Sequence, residues 1–287
     1  MTAPILEPGE IARLERLALT PDRRVAASGS GPHRSLLRGR SLDVVDWRDY
    51  QPGDDPRTID VQAWARLDQV LVRLYEADVD LRVQLIVDTS ASMEVGDKLR
   101  HAVRIAGAIG VAALTRNESL SVTSLSEPVP RRYRGRSSVG VFLNHLAAWV
   151  AEGPTPFVDT AKRLTATTSR PGLVVVVSDF LSAESTAFID RLAARRAQIL
   201  AVLVASSEDE DPDVLGEVQL VDAETQHRVD VDLSPMVIEK FRERRARDRA
   251  VLAQRLARHG SRLIVSWTGE DLMTQVVPDL SNAGVLR

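Results

Sequence analysis

The chain has 287 residues, of which 44% are hydrophobic and 27% are charged, and its formal net charge is −3. This composition is typical of a globular protein with a full-sized core, and so small a net charge provides no global field that attracts nucleic acid or anionic lipid. The chain has no cysteine, which excludes disulfides, thiolate metal sites and cysteine nucleophiles.

The N-terminal part of the chain has an irregular hydrophobic pattern. Residues 8–19 predict a short amphipathic helix, residues 27–33 a linker of small residues, and residues 69–76 a strand, while the rest of 34–80 has no regular period. The N-terminus lacks the features of a signal peptide, and no apolar run approaches the roughly 20 residues that span a bilayer. We therefore expect no membrane insertion and a cytoplasmic protein.

From residue 81 onward, apolar strands alternate with amphipathic helices. The predicted strands are 81–88, 119–125, 128–134 at an edge, 173–177, 199–205 and 263–267, with a hairpin over 217–232. The predicted helices are 97–115, 137–151, 158–168, 183–197, 235–259 and 271–280. This alternation predicts an α/β fold with a doubly wound, mostly parallel sheet over residues 81–287. We expect residues 1–80 to form an N-terminal extension that packs on it.

Polar side chains follow the predicted strands at the edge where ligands bind in open α/β sheets. Asp88, Ser90 and Ser92 come after the first of these strands, Thr155 comes at the start of a helix, and Asp179 follows the strand 173–177. Such hard oxygen donors suit Mg²⁺ or Mn²⁺. Five donors leave a sixth position open, which an acidic side chain of a partner could occupy.

Other interpretations of these residues stay open. Ser90 and Ser92 could cap the following helix, and Asp179 could cap a loop. A metal-dependent phosphohydrolase could use the same acidic edge, although the chain has no P-loop and no G-x-S-x-G sequence. The arginine-rich stretch 242–249 also contains acidic residues, so we interpret it as a solvated helix face and expect no nucleic-acid binding.

The polar residues after the strands resemble the metal-ion-dependent adhesion site (MIDAS) of von Willebrand factor A domains. In that site one loop supplies D-x-S-x-S, a second loop a Thr and a third loop an Asp. The matching residues, in order, are Asp88, Ser90, Ser92, Thr155 and Asp179. The resemblance covers about residues 81–268 and implies a magnesium-dependent site that binds proteins.

A second resemblance, to the DUF58 family, lies in residues 31–76. The family pattern R-x-Y-x-P-G-D-D-x-R-x-I-D-W is matched by Arg48, Tyr50, Pro52, Gly53, Asp54, Asp55, Arg57, Ile59 and Asp60, and Val61 replaces the usual Trp. Members carry a von Willebrand A-like domain, are typically encoded beside a MoxR-type AAA+ ATPase, and have no established enzymatic activity. The resemblance implies a non-enzymatic adaptor that binds this ATPase or an acidic client protein.

The turn Tyr50–Arg57 within this pattern has two interpretations. Pro and Gly form a turn, and Asp54, Asp55 and Arg57 then form a local network of ion pairs. In the other interpretation, Asp54 or Asp55 approaches the metal edge or a partner. We favour the local, structural role.

Overall fold

The computed structural model describes residues 4–20, 44–52, 54, 56–75, 81–127, 129–165, 172–195, 197–210 and 214–287. The predicted linker 27–33, the stretch 31–40 of the DUF58 pattern, and Gly53 and Asp55 lie outside the described residues. The chain divides into two compact units, one formed by residues 1–28 and 81–287 and the other by residues 29–80.

The secondary structure includes ten strands and nine α-helices within the described residues. The strands are β1 (Val44–Asp49), β2 (Leu71–Tyr75), β3 (Arg82–Val87), β4 (Ser119–Ser124), β5 (Arg131–Arg134), β6 (Leu173–Ser178), β7 (Gln198–Ala205), β8 (Gly216–Val221), β9 (Arg228–Leu233) and β10 (Arg262–Trp267). The helices are α1 (Pro8–Leu14), α2 (Val61–Leu67), α3 (Lys98–Thr115), α4 (Val139–Ala147), α5 (Phe157–Thr165), α6 (Ser185–Ala193), α7 (Ser207–Glu210), α8 (Pro235–Arg258) and α9 (Val277–Asn282). Short 3₁₀ turns cover Pro56–Thr58, Ala91–Asp97 and Arg136–Ser138, and a π-helical turn covers Leu272–Val276.

The larger unit is built on one six-stranded sheet. Its strand order is β10-β7-β6-β3-β4-β5, and every neighbouring pair is parallel except β4 and β5. Helices α1, α3, α4 and α9 contribute to the core on one face, and α5, α6 and α8 contribute to the core on the other. The predicted doubly wound, mostly parallel α/β fold is therefore confirmed.

The side chains of the central strands alternate between the two cores. On β3, Leu85 and Val87 enter one core and Ile86 the other, and all three are fully buried. Successive side chains of a strand point to opposite faces, so a continuous apolar run fills both cores at once. This explains why residues 173–177 of β6 and 199–205 of β7 are continuous hydrophobic runs rather than alternating patterns.

The strand order places one crevice at the carboxyl ends of β3 and β6. These strands are neighbours, but the chain leaves β3 through α3 toward β4 on one side and leaves β6 through α6 toward β7 on the other. Such a switch in direction opens a crevice between the two loops, where α/β sheets bind their ligands. The loops that follow β3 and β6 carry Asp88 and Asp179.

Some sequence-based expectations about local structure are wrong. The strand predicted over 69–76 corresponds to β2, but the rest of 34–80, for which no regular element was predicted, also contains the strand β1 and the helix α2. The helix predicted over 137–151 ends at Ala147, and the apolar side chains of Val141 and Val150 are 65% and 61% exposed rather than buried. Its buried face carries Phe142 and His145 instead.

Candidate metal centre

Asp88 lies at the end of β3 and is almost completely enclosed, with only 1% of its surface exposed. Its backbone N–H donates to the carbonyl of Val177, which fixes the loop to β6. Its carboxylate accepts hydrogen bonds from the Ser178 hydroxyl, at 2.6 Å, and from the Ser90 backbone N–H, at 3.0 Å. These bonds hold Asp88 in one orientation.

Ser90 and Ser92 place two hydroxyl groups beside this carboxylate. Their Oγ atoms are 3.1 Å apart, and Ser90 is buried while Ser92 is half-buried. Ser90 occupies the N-cap position of the 3₁₀ turn Ala91–Asp97, but its side chain makes no capping hydrogen bond. Helix capping therefore does not account for the Ser90 hydroxyl.

Thr155 lies on a loop that is hydrogen-bonded to the Asp88–Ser92 loop. The N–H of Ala91 donates to the carbonyl of Gly153, and the N–H of Glu152 donates to the carbonyl of Thr89, each at 2.9 Å. Thr155 itself is half-buried. Its N–H, at 2.9 Å, and its hydroxyl both donate to the carboxylate of Glu224.

Asp179 follows β6 and is 2% exposed. One carboxylate oxygen accepts from the N–H of Leu181, at 3.2 Å, and the other accepts from the ammonium group of Lys98, at 2.8 Å. Lys98 is fully buried at the start of α3 and also forms an ion pair with Asp209, which follows β7. One ammonium group therefore joins the loop after β6 to helix α7, which follows the neighbouring strand β7.

The loop that leads to Lys98 depends on a glycine. Gly96 has a φ of +60°, and a Cβ atom there would lie 2.5 Å from the Cβ of Ser206. Only glycine combines this left-handed conformation with so close an approach at low cost. The close approach brings α3 beside the loop after β7, where Asp209 lies.

The carboxylates of the site interact electrostatically. Burial, followed by the negative charge of Asp179, raises the pKa of Asp88 to about 6, although hydrogen bonds from Ser178 and Ser90 oppose the shift. Burial lowers the pKa of Lys98, but Asp179 and Asp209 outweigh it and raise that pKa overall. Among the residues that the structure describes, Lys98 compensates the carboxylate of Asp179, and the carboxylate of Asp88 forms its hydrogen bonds with Ser178 and Ser90 and has no ion pair.

The donor chemistry fits a weakly held Mg²⁺ or Mn²⁺. Asp88, Ser90, Ser92 and Thr155 would supply hard oxygen ligands, and a divalent ion would compensate the buried charge of Asp88. Asp179 is held by Lys98, so it would contribute less charge to the ion than Asp88 does. In the part of the chain that the structure describes, no three His, Cys, Asp or Glu side chains form a group that could hold a metal. The ion would therefore depend mainly on hydroxyl groups.

Three residues of the site were not predicted from the sequence. They are Lys98, Asp209 and Glu224. Asp209 lies on the short helix α7, four positions after β7, so the rule that found Asp179 directly after β6 stops at Ser206 when it is applied to β7. Lys98 and Glu224 lie on elements that only the tertiary fold brings to this edge.

The DUF58 signature residues that the structure describes interact locally. The guanidinium of Arg48 forms two hydrogen bonds with the carboxylate of Asp54, at 2.6 and 2.8 Å. Asp60 caps α2 by accepting from two backbone N–H groups, and it also accepts from the indole of Trp47 at 2.9 Å. The partner of Asp54 is thus Arg48 on β1, and these residues stabilise the turn between β1 and α2.

The fold and the site define a class of mixed α/β proteins with a polar, oxygen-rich centre at the switch point of a mostly parallel sheet. Within that class the chain belongs to the DUF58 family, described as "Protein of unknown function DUF58", whose model matches residues 46–251. This match confirms the family resemblance stated from the sequence.

Relatives with similar sequences are uncharacterized mycobacterial proteins. The proteins Mb1516 of Mycobacterium bovis and Rv1480 of Mycobacterium tuberculosis are each 29% identical over 286 residues, covering 94% of this chain and 89% of theirs. None of their descriptions states an activity.

Two solved structures share a weak likeness with this chain. BatB from Bacteroides thetaiotaomicron has a TM-score of 0.42 at 12% identity, and an aerotolerance-related membrane protein from Bacteroides fragilis has a TM-score of 0.40 at 13% identity. Each match covers 71% of this chain and 98% of the other. Among the described residues, no helix has the length and apolar character needed to cross a bilayer.

Proposed function

We propose that this protein is a non-enzymatic binding module that engages an acidic side chain of a partner protein through Mg²⁺. The ion is held by Asp88, Ser90, Ser92 and Thr155, with Asp179 behind them, in the manner of a MIDAS in a von Willebrand A-like domain. The observation that carries the proposal is the buried Asp88 carboxylate beside two adjacent serine hydroxyls. Within the described part of the chain this carboxylate is paired with hydroxyl and N–H groups rather than with a cation, so a cation from solution would stabilise its charged form.

The chemistry of the ion explains why binding to a partner would depend on it. Mg²⁺ requires near-octahedral oxygen coordination and gives up its water molecules reluctantly. A site with one direct carboxylate and several hydroxyls leaves positive charge and an open position, which a carboxylate from a partner satisfies. The family resemblance suggests a MoxR-type AAA+ ATPase as that partner.

Metal binding is the first test. Mn²⁺ titrated into the full chain should bind weakly to the wild type, as measured by electron paramagnetic resonance, and should not bind Asp88→Asn. Asparagine keeps the shape and the acceptor for Ser178 but removes the charge. Asp159→Asn on the exposed surface of α5 is the matched control and should bind as the wild type does. Absence of Mn²⁺ binding to the wild type would remove the metal from the proposal.

Partner binding is the second test. Thr155→Val keeps the side-chain shape and removes one oxygen donor, so we expect weaker binding to the MoxR-type ATPase and an almost unchanged thermal transition. Chelation with EDTA should have the same effect on the wild type. Equal affinity for wild type and Thr155→Val, with and without EDTA, would mean that binding uses another face.

The phosphohydrolase alternative makes a different prediction for the same variants. A hydrolase using this acidic edge would cleave p-nitrophenyl phosphate in the presence of Mg²⁺, and Asp88→Asn would abolish the reaction. We expect no cleavage by the wild type, because the second carboxylate, Asp179, is held by Lys98.

A further inference from the structure

The turn of the β8–β9 hairpin carries Glu224 in a fixed position. The carboxylate of Asp222 accepts hydrogen bonds from the N–H of Glu224 at 3.0 Å, from the N–H of Thr225 at 2.7 Å and from the Thr225 hydroxyl at 2.9 Å. Gln226 completes the turn with a left-handed φ of +59°. These hydrogen bonds fix the backbone of the turn at Glu224 and therefore the point from which its side chain extends.

Glu224 is bound by one residue of the candidate metal centre. One of its carboxylate oxygens accepts from the backbone N–H of Thr155 at 2.9 Å, and the other accepts from the Thr155 hydroxyl. The two donors of Thr155 form a fork that matches the two oxygens of a carboxylate, and both are taken. A hydrogen bond to an ionised acceptor is among the stronger kinds.

The hairpin that carries Glu224 is separate from the main sheet. In the described part of the chain, β8 and β9 pair with each other and with no other strand, and Leu233 is the one buried residue in these two strands. An isolated two-stranded hairpin is marginally stable by itself, and an element with few buried apolar groups opens at low free-energy cost. The bond between Glu224 and Thr155 therefore joins a detachable element to the candidate centre.

We propose that Glu224 is an internal acidic ligand that occupies the carboxylate-binding position of this centre until an external carboxylate displaces it. The inference rests on the proposed function, because it assigns to the chain itself the kind of group that the proposed partner supplies. A tethered ligand acts at an effective concentration that reaches the millimolar range. A partner must therefore compete with Glu224. The apparent affinity of the partner is proportional to the fraction of molecules in which the hairpin is displaced, so it is low when that fraction is small.

The test compares Glu224→Gln with Glu217→Gln in the full chain. Glu217 is an exposed residue on β8 of the same hairpin, so the two variants lose the same charge from the same element. The probes are Mn²⁺ alone and then Mn²⁺ with acetate, a simple carboxylate. Broadening of the acetate methyl resonance by protein-bound Mn²⁺ reports acetate at the ion, and Asp88→Asn gives the background from free Mn²⁺.

We expect all three proteins to retain bound Mn²⁺ and Glu224→Gln to bind acetate about tenfold more tightly than the wild type, within the usual range of coupling between sites. Glu217→Gln should match the wild type. Equal acetate binding by Glu224→Gln and the wild type, with Mn²⁺ bound in both, overturns the internal ligand and leaves the proposed function intact. Loss of Mn²⁺ from Glu224→Gln also overturns it, because Glu224 would then be needed to hold the ion. If the wild type binds no Mn²⁺, the proposed function fails and the inference fails with it.

Discussion

Replacing Lys98 with methionine tests the role of the buried ammonium group in the fold. Methionine has similar length and no charge, so Lys98→Met removes the cation that faces Asp179 and Asp209 and keeps most of the packing. Lys98 has no exposed surface, and Asp179 and Asp209 retain only 3% and 17% exposure of their side chains. Two carboxylates would then lie close together near Asp88 with no compensating charge.

The magnitude follows from this geometry. At the 2.8 Å separation from Asp179, the attraction of one ion pair amounts to ~6 kcal/mol at an effective dielectric constant of about 20. Desolvation of the ammonium offsets part of it, and removing one partner of a buried pair typically costs about 3–5 kcal/mol. We therefore expect Lys98→Met to lower the free energy of unfolding by about 3–5 kcal/mol. At about 2–4 °C per kcal/mol, the Tm should fall by about 6–20 °C.

The assay is urea and thermal unfolding of the full chain, followed by circular dichroism in EDTA. Lys162→Met is the matched control, because Lys162 pairs with Asp159 on the surface, where both side chains are about two-thirds exposed, and it should cost less than about 1 kcal/mol. Adding Asp209→Asn to Lys98→Met should restore part of the loss, because one unpaired charge is removed. A Lys98→Met protein as stable as Lys162→Met would refute the reasoning.

Two further predictions concern the core and the pH dependence of stability. Gly110→Ala should destabilise the fold by about 1–3 kcal/mol in chemical unfolding, because a Cβ atom would lie 2.2 Å from the ring of Phe142, whereas Gly140→Ala, with no atom within 4 Å, should stabilise it by up to about 1 kcal/mol. Equal effects of the two substitutions would contradict this packing. Although burial opposes the shift, hydrogen bonds from His145 and Trp149 lower the pKa of Glu127 below its usual 4.5, so its contribution is complete above pH 4.5 and is lost as the pH falls through the lowered pKa. The fall in Tm below pH 4.5 should therefore be shallower in Glu127→Gln than in the wild type. Parallel curves of Tm against pH for the two proteins would contradict this contribution of Glu127.

The sequence predicted the sheet well because burial on both faces leaves a strong signal. The apolar runs of β3, β6 and β7 could fit only a covered parallel sheet, and the polar residue after each run then lies at one edge. Prediction failed where the pattern of exposure depends on tertiary packing. On α4, Val141 is exposed while His145 is buried, because His145 bonds to Tyr133 and Glu127.

The candidate site shows the same division between local and tertiary information. The spacing of Asp88, Ser90 and Ser92 is local, so the sequence contains it in full. The burial of Asp88 and Asp179 is not local, and neither is the pairing of Asp179 with Lys98, which lies 81 positions earlier in the chain. The contact of Thr155 with Glu224 spans 69 positions. No pattern within a window of a helix or strand could have revealed these partners.

The pairing of Lys98 with Asp179 separates the stability of this edge from its proposed binding of a cation. Without Lys98, a divalent ion would have to compensate two buried carboxylates, and its removal would destabilise the fold strongly. With Lys98 in place, its ammonium group compensates the charge of Asp179. The ion then has only the charge of Asp88 to balance. We therefore expect EDTA to leave the Tm of the wild type nearly unchanged while it abolishes partner binding. In Lys98→Met, Mg²⁺ should raise the Tm, because the ion then compensates charge that the chain no longer neutralises. A wild type that loses several degrees of Tm in EDTA, or a Lys98→Met protein that gains none in Mg²⁺, would contradict this separation of roles.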